Sequence, residues 1–252
     1  MSSPQALAFQ APSLALLAAE PLRALFELCA GKVAAPSTVE GDGHPVIVYP
    51  GLGAGPLTTA QLRSYLRSCN LDVHDWEFGV NTGPNGALHE WLDALVAPVR
   101  ALHAREGRRV SLVGWSLGGI YAREIAKRCP EAVRQVITMG TPHRSIQGAN
   151  HAETILRWMG GDTSQLTPEL TARLAERPPV PISSIYSKSD GFVSWRGCLE
   201  TAAPDVENIA VDASHLGMPT HSEVLRIVGD RLAQAEGRWR PYRRPRARPA
   251  AG

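Results

Sequence analysis

The chain has 252 residues, a length that suits one large α/β domain or two small ones. Hydrophobic residues make up 44% and charged residues 20%, and no run approaches about 18 apolar residues, which excludes extensive disorder, collagen, coiled coil and a membrane-spanning helix. The formal charge of +2 is unevenly spread: the last fifteen residues hold six Arg and no acid, so the rest, with 20 basic and 24 acidic residues, is formally −4, which argues against nucleic acid as a partner.

Residues 12 to 30 have an amphipathic helical pattern, with Leu14, Leu17, Leu22, Leu25 and Leu28 among its apolar positions. These leucines are expected to pack on the body. The N-terminus lacks a basic stretch, and Glu20 interrupts its apolar run, so no secretory signal is read and a cytoplasmic location is expected. Residues 31 to 45 form a loop. Pro45 to Tyr49 reads as a buried strand that exits into Pro50-Gly51-Leu52-Gly53. Thr58 to Cys69 is a helix, Leu71 to Trp76 a strand, and Gly79 to Gly86 a loop. Ala87 to Glu106 is a helix with an irregularity at Pro98. Arg108 to Gly114 is a buried strand, Gly118 to Arg128 a helix and Val133 to Met139 a strand.

The interval from Arg144 to Pro181 is too long for a simple connection. It holds two helix-like pieces, Ala149 to Met159 and Glu169 to Glu176, and reads as a helical, lid-like insertion over the sheet edge. Strands at Ile182 to Ser187 and Val206 to Val211 follow, then a closing helix from Ser222 to Ala235. Strands alternating with helices of this length predict a parallel sheet covered on both faces. One domain therefore spans 1–237, with the insertion at 144–181. Residues 238–252 form a basic tail, disordered beyond about Tyr242 because it has nothing to bury. The tail's Arg residues suggest weak contact with an anionic membrane surface.

Cys29, Cys69, Cys129 and Cys198 form no CxxC pair, and HExxH and GxxxxGK are also missing, so neither a metal nor a cofactor is expected. Gly51-x-Gly53 after a strand opens a dinucleotide fingerprint, but Pro56 stands where its third glycine belongs.

The central motif is Gly114-Trp115-Ser116-Leu117-Gly118. By chance such a string turns up in about one chain in seven of this composition. Its context is what counts: an apolar strand runs into it and a helix follows directly. A serine at that strained turn points off the sheet, and the helix start offers positive potential to a developing oxyanion.

Several segments resemble the α/β-hydrolase fold family, in its bacterial lipase and esterase group: VIVYPGLG, QLRSYLRSCNLDVHDWEFGVNTGPN, VSLVGWSLGGIYAREIAKRCPEAVRQVITMGTPHR, SIYSKSDGFVSW and VDASHLGM. The resemblance implies a mostly parallel sheet with helices on both faces and a Ser, Asp, His order of catalytic residues. Ser116 is then the nucleophile. Asp190, past the strand 182–187, is the acid, and His215, past the strand 206–211, is the base. A serine hydroxyl needs an imidazole to take its proton, and the imidazole needs a carboxylate to fix its tautomer.

Asp205 is the alternative acid, and Asp212 stands too near His215 in sequence to orient it. His221 is the alternative base but fits better as a cap on the closing helix. The oxyanion hole is carried over to the backbone N–H groups of Leu52 and Leu117. His143 after the GTP segment, Trp115 in the elbow and Trp158 in the insertion are expected to line the substrate site. The expected reaction is cleavage of a small-molecule or lipid carboxylic ester through an acyl-serine. The same fold also serves acyl transfer, thioester or amide hydrolysis, cofactor-free peroxidation, and non-catalytic partner proteins.

Overall fold

The computed structural model describes residues 10–32, 39–144 and 167–244. Six strands form one sheet: β1 (Pro45–Tyr49), β2 (Asp72–Asp75), β3 (Val110–Trp115), β4 (Val133–Met139), β5 (Ile182–Ser187) and β6 (Val206–Val211). Their order is β2-β1-β3-β4-β5-β6 and every pairing is parallel. The central strands β1, β3 and β4 are buried at every position, including the polar Ser111, Arg134, Gln135 and Thr138 of β3 and β4.

Alternation along the strands splits the core in two. Val46, Val48, Val113, Ile137 and Ile185 face α2 (Ala60–Ser68) and the closing helix, here numbered α6 (Ser222–Leu232), through Leu62, Leu66, Val224 and Val228. Ile47, Tyr49, Leu112 and Val136 face α3 (Leu88–Glu106) and α4 (Leu117–Arg128) through Leu95, Val99, Tyr121 and Ile125. Pro98 lies inside α3 without ending the helix. The layers are therefore those predicted, and each strand falls within a residue or two of its expected bounds.

Three expectations change or pass out of view. The N-terminal helix α1 (Leu14–Lys32) forms, but Leu14, Leu22 and Leu25 point outward and are 73%, 75% and 58% exposed, with Phe26 beside them at 73%. Instead Glu20 and Glu27 are buried against the body. The first part of the expected tail, up to Arg244, lies on the body. Tyr242 packs on the core beneath the Arg231 guanidinium, its N–H donates to Glu207 Oε2 at 2.6 Å, and Arg244 pairs with Glu223 at 3.2 Å. Residues 245–252 lie outside the described residues, as do the piece Ala149 to Met159 and most of the insertion. Of the latter, α5 (Pro168–Ala175) is described. Its Thr167 hydroxyl caps Leu170 N–H, and its C-terminal carbonyls accept from Arg123 and Lys127 of α4. No described helix is long and apolar enough to cross a membrane, and all four cysteines are free thiols.

Candidate active site

Ser116 stands between β3 and α4 with φ 55° and ψ −121°, a left-handed backbone that costs energy for any residue with a Cβ. The surrounding structure forces it. A Cβ on Gly118 would come within 2.4 Å of the Tyr49 carbonyl, and one on Gly114 within 2.4 Å of the Gly118 carbonyl. Only glycines let the chain turn this sharply against β1. Thr141 braces the turn from the end of β4, its hydroxyl donating to the Ser116 carbonyl at 3.0 Å.

Three loops at the carboxyl edge of the sheet meet at this serine. His215 Nε2 lies 3.0 Å from Ser116 Oγ, and His215 Nδ1 lies 2.7 Å from Asp190 Oδ2. The other Asp190 oxygen accepts the N–H groups of Phe192 and Val193, each at 2.8 Å. Phe192 stacks on the imidazole with ring centroids 5.3 Å apart. Asp190 and His215 are 3% and 4% exposed and Ser116 9%, so the serine is the most open of the three buried residues. The His215 pKa is raised above its ordinary 6.5. Burial opposes this, and the charge and hydrogen bond of Asp190, with the charge of Glu20, outweigh burial.

The loop after β1 faces the same hydroxyl. A Cβ on Gly51 would touch Ser116 Cβ at 3.2 Å. Leu117 opens α4, so its N–H has no helical acceptor. Neither that N–H nor the one on Leu52 has a partner among the described residues. Asn81, fully buried, organises this loop. Its side chain donates to the Pro50 carbonyl at 2.8 Å. Its backbone accepts from Gly53 at 2.7 Å and donates to Ala54 at 2.8 Å. Its Oδ1 accepts from Gly83 N–H and from the Tyr121 hydroxyl. In the sequence Asn81 lies in the loop 79–86, and nothing in the string VNTGPN marks it out from Asn85.

The structure brings Ser116, Asp190, His215 and the loop of Leu52 together, and it separates the alternatives from them. Asp205 pairs with Arg177 at 2.6 Å on the surface. The Asp212 side chain is 90% exposed and accepts from Ser189. His221 takes the N-cap position of α6 but makes no side-chain cap bond.

Two expected lining residues are corrected. The Trp115 side chain is buried in the core, because the strand alternation turns it away from the face that Ser116 meets. It spends its N–H on the His215 carbonyl. His143 is sealed in the interior beside Glu200 at 3.6 Å, near an Arg123–Glu200 ion pair. Burial, then the Arg123 charge, pushes its pKa well below the ordinary value. Trp158 lies outside the described residues. Among the described residues no group of His, Cys, Asp and Glu is arranged to hold a metal.

Comparison with known proteins places the fold and the family. A triacylglycerol lipase from Burkholderia plantarii is 27% identical over 202 residues, which cover 74% of this chain and 54% of the relative. A triacylglycerol lipase from Pseudarthrobacter phenanthrenivorans is 29% identical over 193 residues, covering 72% and 58%. The chain thus spans just over half the length of these curated relatives. The crystal structure of Aspergillus fumigatus lipase B superposes with a TM-score of 0.61 at 18% identity, over 82% of this chain and 57% of that one. Mature Bacillus licheniformis lipase BlEst2 gives 0.54 at 14% identity, over 79% and 95%. At such identities the likeness establishes the fold, that of the α/β-hydrolases. The model for palmitoyl protein thioesterases matches residues 45–181, over half of the chain, and the protein belongs to that family.

Proposed function

We propose that the chain is a serine hydrolase that cleaves carboxylic esters of acyl chains through an acyl-serine intermediate. The observation that carries this reading is the unbroken line Asp190 Oδ2–His215 Nδ1 (2.7 Å), His215 Nε2–Ser116 Oγ (3.0 Å), ending at a strained serine. In this reading Ser116 Oγ attacks the acyl carbonyl while His215 Nε2 takes its proton. Asp190 stays ionised, holds the Nδ1–H tautomer and stabilises the imidazolium. The carbonyl oxygen takes up the negative charge and accepts from the N–H groups of Leu52 and Leu117. The tetrahedral adduct then collapses and expels the alcohol, which leaves with the proton from His215. Water, deprotonated by the same nitrogen, attacks the acyl-serine carbonyl. The second tetrahedral adduct then expels Ser116 Oγ, which takes back the proton from His215, and the carboxylic acid is released.

A thioester is the second substrate class, favoured by the match to the palmitoyl protein thioesterase model. The same steps apply with a thiol as leaving group. The triacylglycerol lipase relatives favour an oxygen ester of a long acyl chain. The test is labelling by a fluorophosphonate, followed by turnover of p-nitrophenyl esters and acyl thioesters of short and long chain. Labelling that survives Ser116→Ala, or a folded wild-type chain that neither labels nor turns over, rejects the reading.

A further inference from the structure

The helix α1 turns polar side chains toward the body. Leu14, Leu22, Leu25 and Phe26 face outward and Leu16, Leu17 and Leu28 are half-buried, while Glu20, Arg23 and Glu27, spaced along one face, turn toward the body. Each of these three ends on a loop that carries part of the Ser116–His215–Asp190 line. Glu20 Oε1 accepts from Gly191 N–H at 2.7 Å and from His215 N–H at 2.9 Å, and Oε2 accepts from Leu216 N–H at 3.0 Å. Glu27 accepts from the N–H and the hydroxyl of Ser214 at 2.8 and 2.6 Å. Arg23 donates to the carbonyl and hydroxyl of Ser189.

We propose that Glu20 is a positioning residue for this line, its one carboxylate tying the Asp190 loop to the His215 loop. The proposal rests on the serine-hydrolase reading above. Asp190 and His215 leave different strands, β5 and β6. Beyond the bond between their side chains, the two loops are joined at their bases, where Ala213 N–H donates to Ser187 Oγ at 3.4 Å and Ser189 Oγ donates to Asp212 at 2.5 Å. Glu20 adds a tie at the pair itself, accepting from the backbone N–H of His215 and from the N–H of the residue after Asp190. A displacement of about 1 Å at a catalytic group costs roughly 10²-fold in rate. The close fit is written into the loop: a Cβ on Gly191 would stand 2.6 Å from the Leu16 carbonyl and 2.8 Å from Glu20 Cγ. The carboxylate also adds negative charge beside the imidazole. The charged groups that act on that imidazole are Asp190 from the β5 loop and Glu20 from α1.

The test compares Glu20→Gln, Glu20→Asp and Gly191→Ala with the full wild-type chain. Glutamine keeps the size but presents a donor where one of the three N–H groups needs an acceptor, and it removes the charge. Glu20→Gln should lower kcat about 10- to 100-fold with KM within about twofold. The acid limb of its kcat/KM profile should move to lower pH. Glu20→Asp should lose kcat but keep the wild-type acid limb. Gly191→Ala, which forces α1 away from the loop with the carboxylate intact, should lose kcat alike. NMR titration of the His215 ring should show a lower pKa in Glu20→Gln, and exchange of the Gly191, His215 and Leu216 amides should speed up. Wild-type kcat and an unmoved acid limb in folded Glu20→Gln overturn the proposal. If the wild-type chain itself has no turnover and no fluorophosphonate labelling, the hydrolase reading fails instead. The His215 titration then decides for Glu20 alone, and an unmoved ring pKa overturns it.

Discussion

Trp115 and His215 are joined by a hydrogen bond from the indole N–H to the histidine carbonyl at 3.0 Å, across a sequence separation of 100 residues. The residue before Ser116 thus holds the loop that carries the imidazole. The two rings also lie 5.9 Å apart between centroids, tilted by 42°. Trp115 and Glu20 grip His215 from opposite sides of its peptide, one at the carbonyl and the other at the N–H.

Trp115→Phe keeps most of the buried ring and removes only the donor. The His215 carbonyl then loses a buried partner, a loss of about 1–3 kcal/mol. Chemical denaturation should show a lower midpoint at unchanged slope. Turnover should fall about tenfold at constant KM, since the ring lines no substrate. A rise in KM at unchanged kcat would return Trp115 to the substrate site.

His215→Ala should lower kcat/KM about 10³-fold or more in a chain that still folds, as loss of a triad base does. His221→Ala should leave kcat/KM near wild type. Its stability should change by no more than about 0.5 kcal/mol, because the ring makes no cap bond to lose. Kinetics on one ester, with circular dichroism of both variants, decides between them. A dead, folded His221→Ala beside an active His215→Ala would move the base to His221.

The parts of this architecture legible in the sequence are those that local chemistry dictates. Strands such as Pro45–Tyr49 are buried on both faces and read as continuous runs rich in β-branched residues. The turn at Ser116 announces itself because Gly114 is demanded by atoms a few residues away, the Gly118 carbonyl and Gly119 backbone, and Gly118 by the neighbouring strand β1 through the Tyr49 carbonyl. Asp190 and His215 are legible only through the resemblance to the α/β-hydrolase family, which implies an acid and a base past the strands 182–187 and 206–211. What the sequence hid is long-range polar bonding. Periodicity treats Glu20 as solvent-facing, yet its partner His215 lies 195 residues away. Of the α1 leucines that periodicity turns inward, Leu17 and Leu28 are half-buried, while Leu14, Leu22 and Leu25 are exposed and carboxylates bonded to backbone N–H groups occupy the buried side of the helix. Asn81 was invisible because its work is to satisfy the main chain of another loop.

Asn81→Ala should separate the oxyanion loop from the rest of the site. It leaves the Pro50 carbonyl and the Tyr121 hydroxyl without their buried partner, at a loss of about 1–3 kcal/mol. Freed of its brace, the Leu52 N–H should drift from the place where the oxyanion forms. Loss of one such donor lowers kcat roughly 10²- to 10³-fold. The His215 line itself is untouched, so fluorophosphonate should still label Ser116, though slowly. Wild-type kcat in a folded Asn81→Ala would show that the loop holds its shape without the amide.

A second Ser-His-Asp line lies at the amino end of the sheet, and its contrast with the first yields the last prediction. His44 Nδ1 is 2.6 Å from Asp42 Oδ1 and His44 Nε2 is 2.8 Å from Ser111 Oγ, distances that match those at Ser116. His44 and Ser111 are fully buried, however, so no acyl group reaches the hydroxyl. Fluorophosphonate should therefore leave Ser111 unmodified, and Ser116→Ala should abolish all labelling. The charges differ too. Burial, then the Arg134 guanidinium, lowers the His44 pKa to about 4, although Asp42 pulls it upward. A histidine whose folded pKa lies below its unfolded value binds fewer protons when folded. Its stabilising contribution is complete above pH 6.5 and is lost as pH falls toward 4, by on the order of 3 kcal/mol across that window. Denaturation midpoints of wild type and His44→Phe at pH 7, 6, 5 and 4.5 read this directly. The variant should start less stable at pH 7 and then fall more slowly than wild type, so that the two curves converge on the acid side. Parallel curves would mean that His44 stays neutral or stays charged in both states.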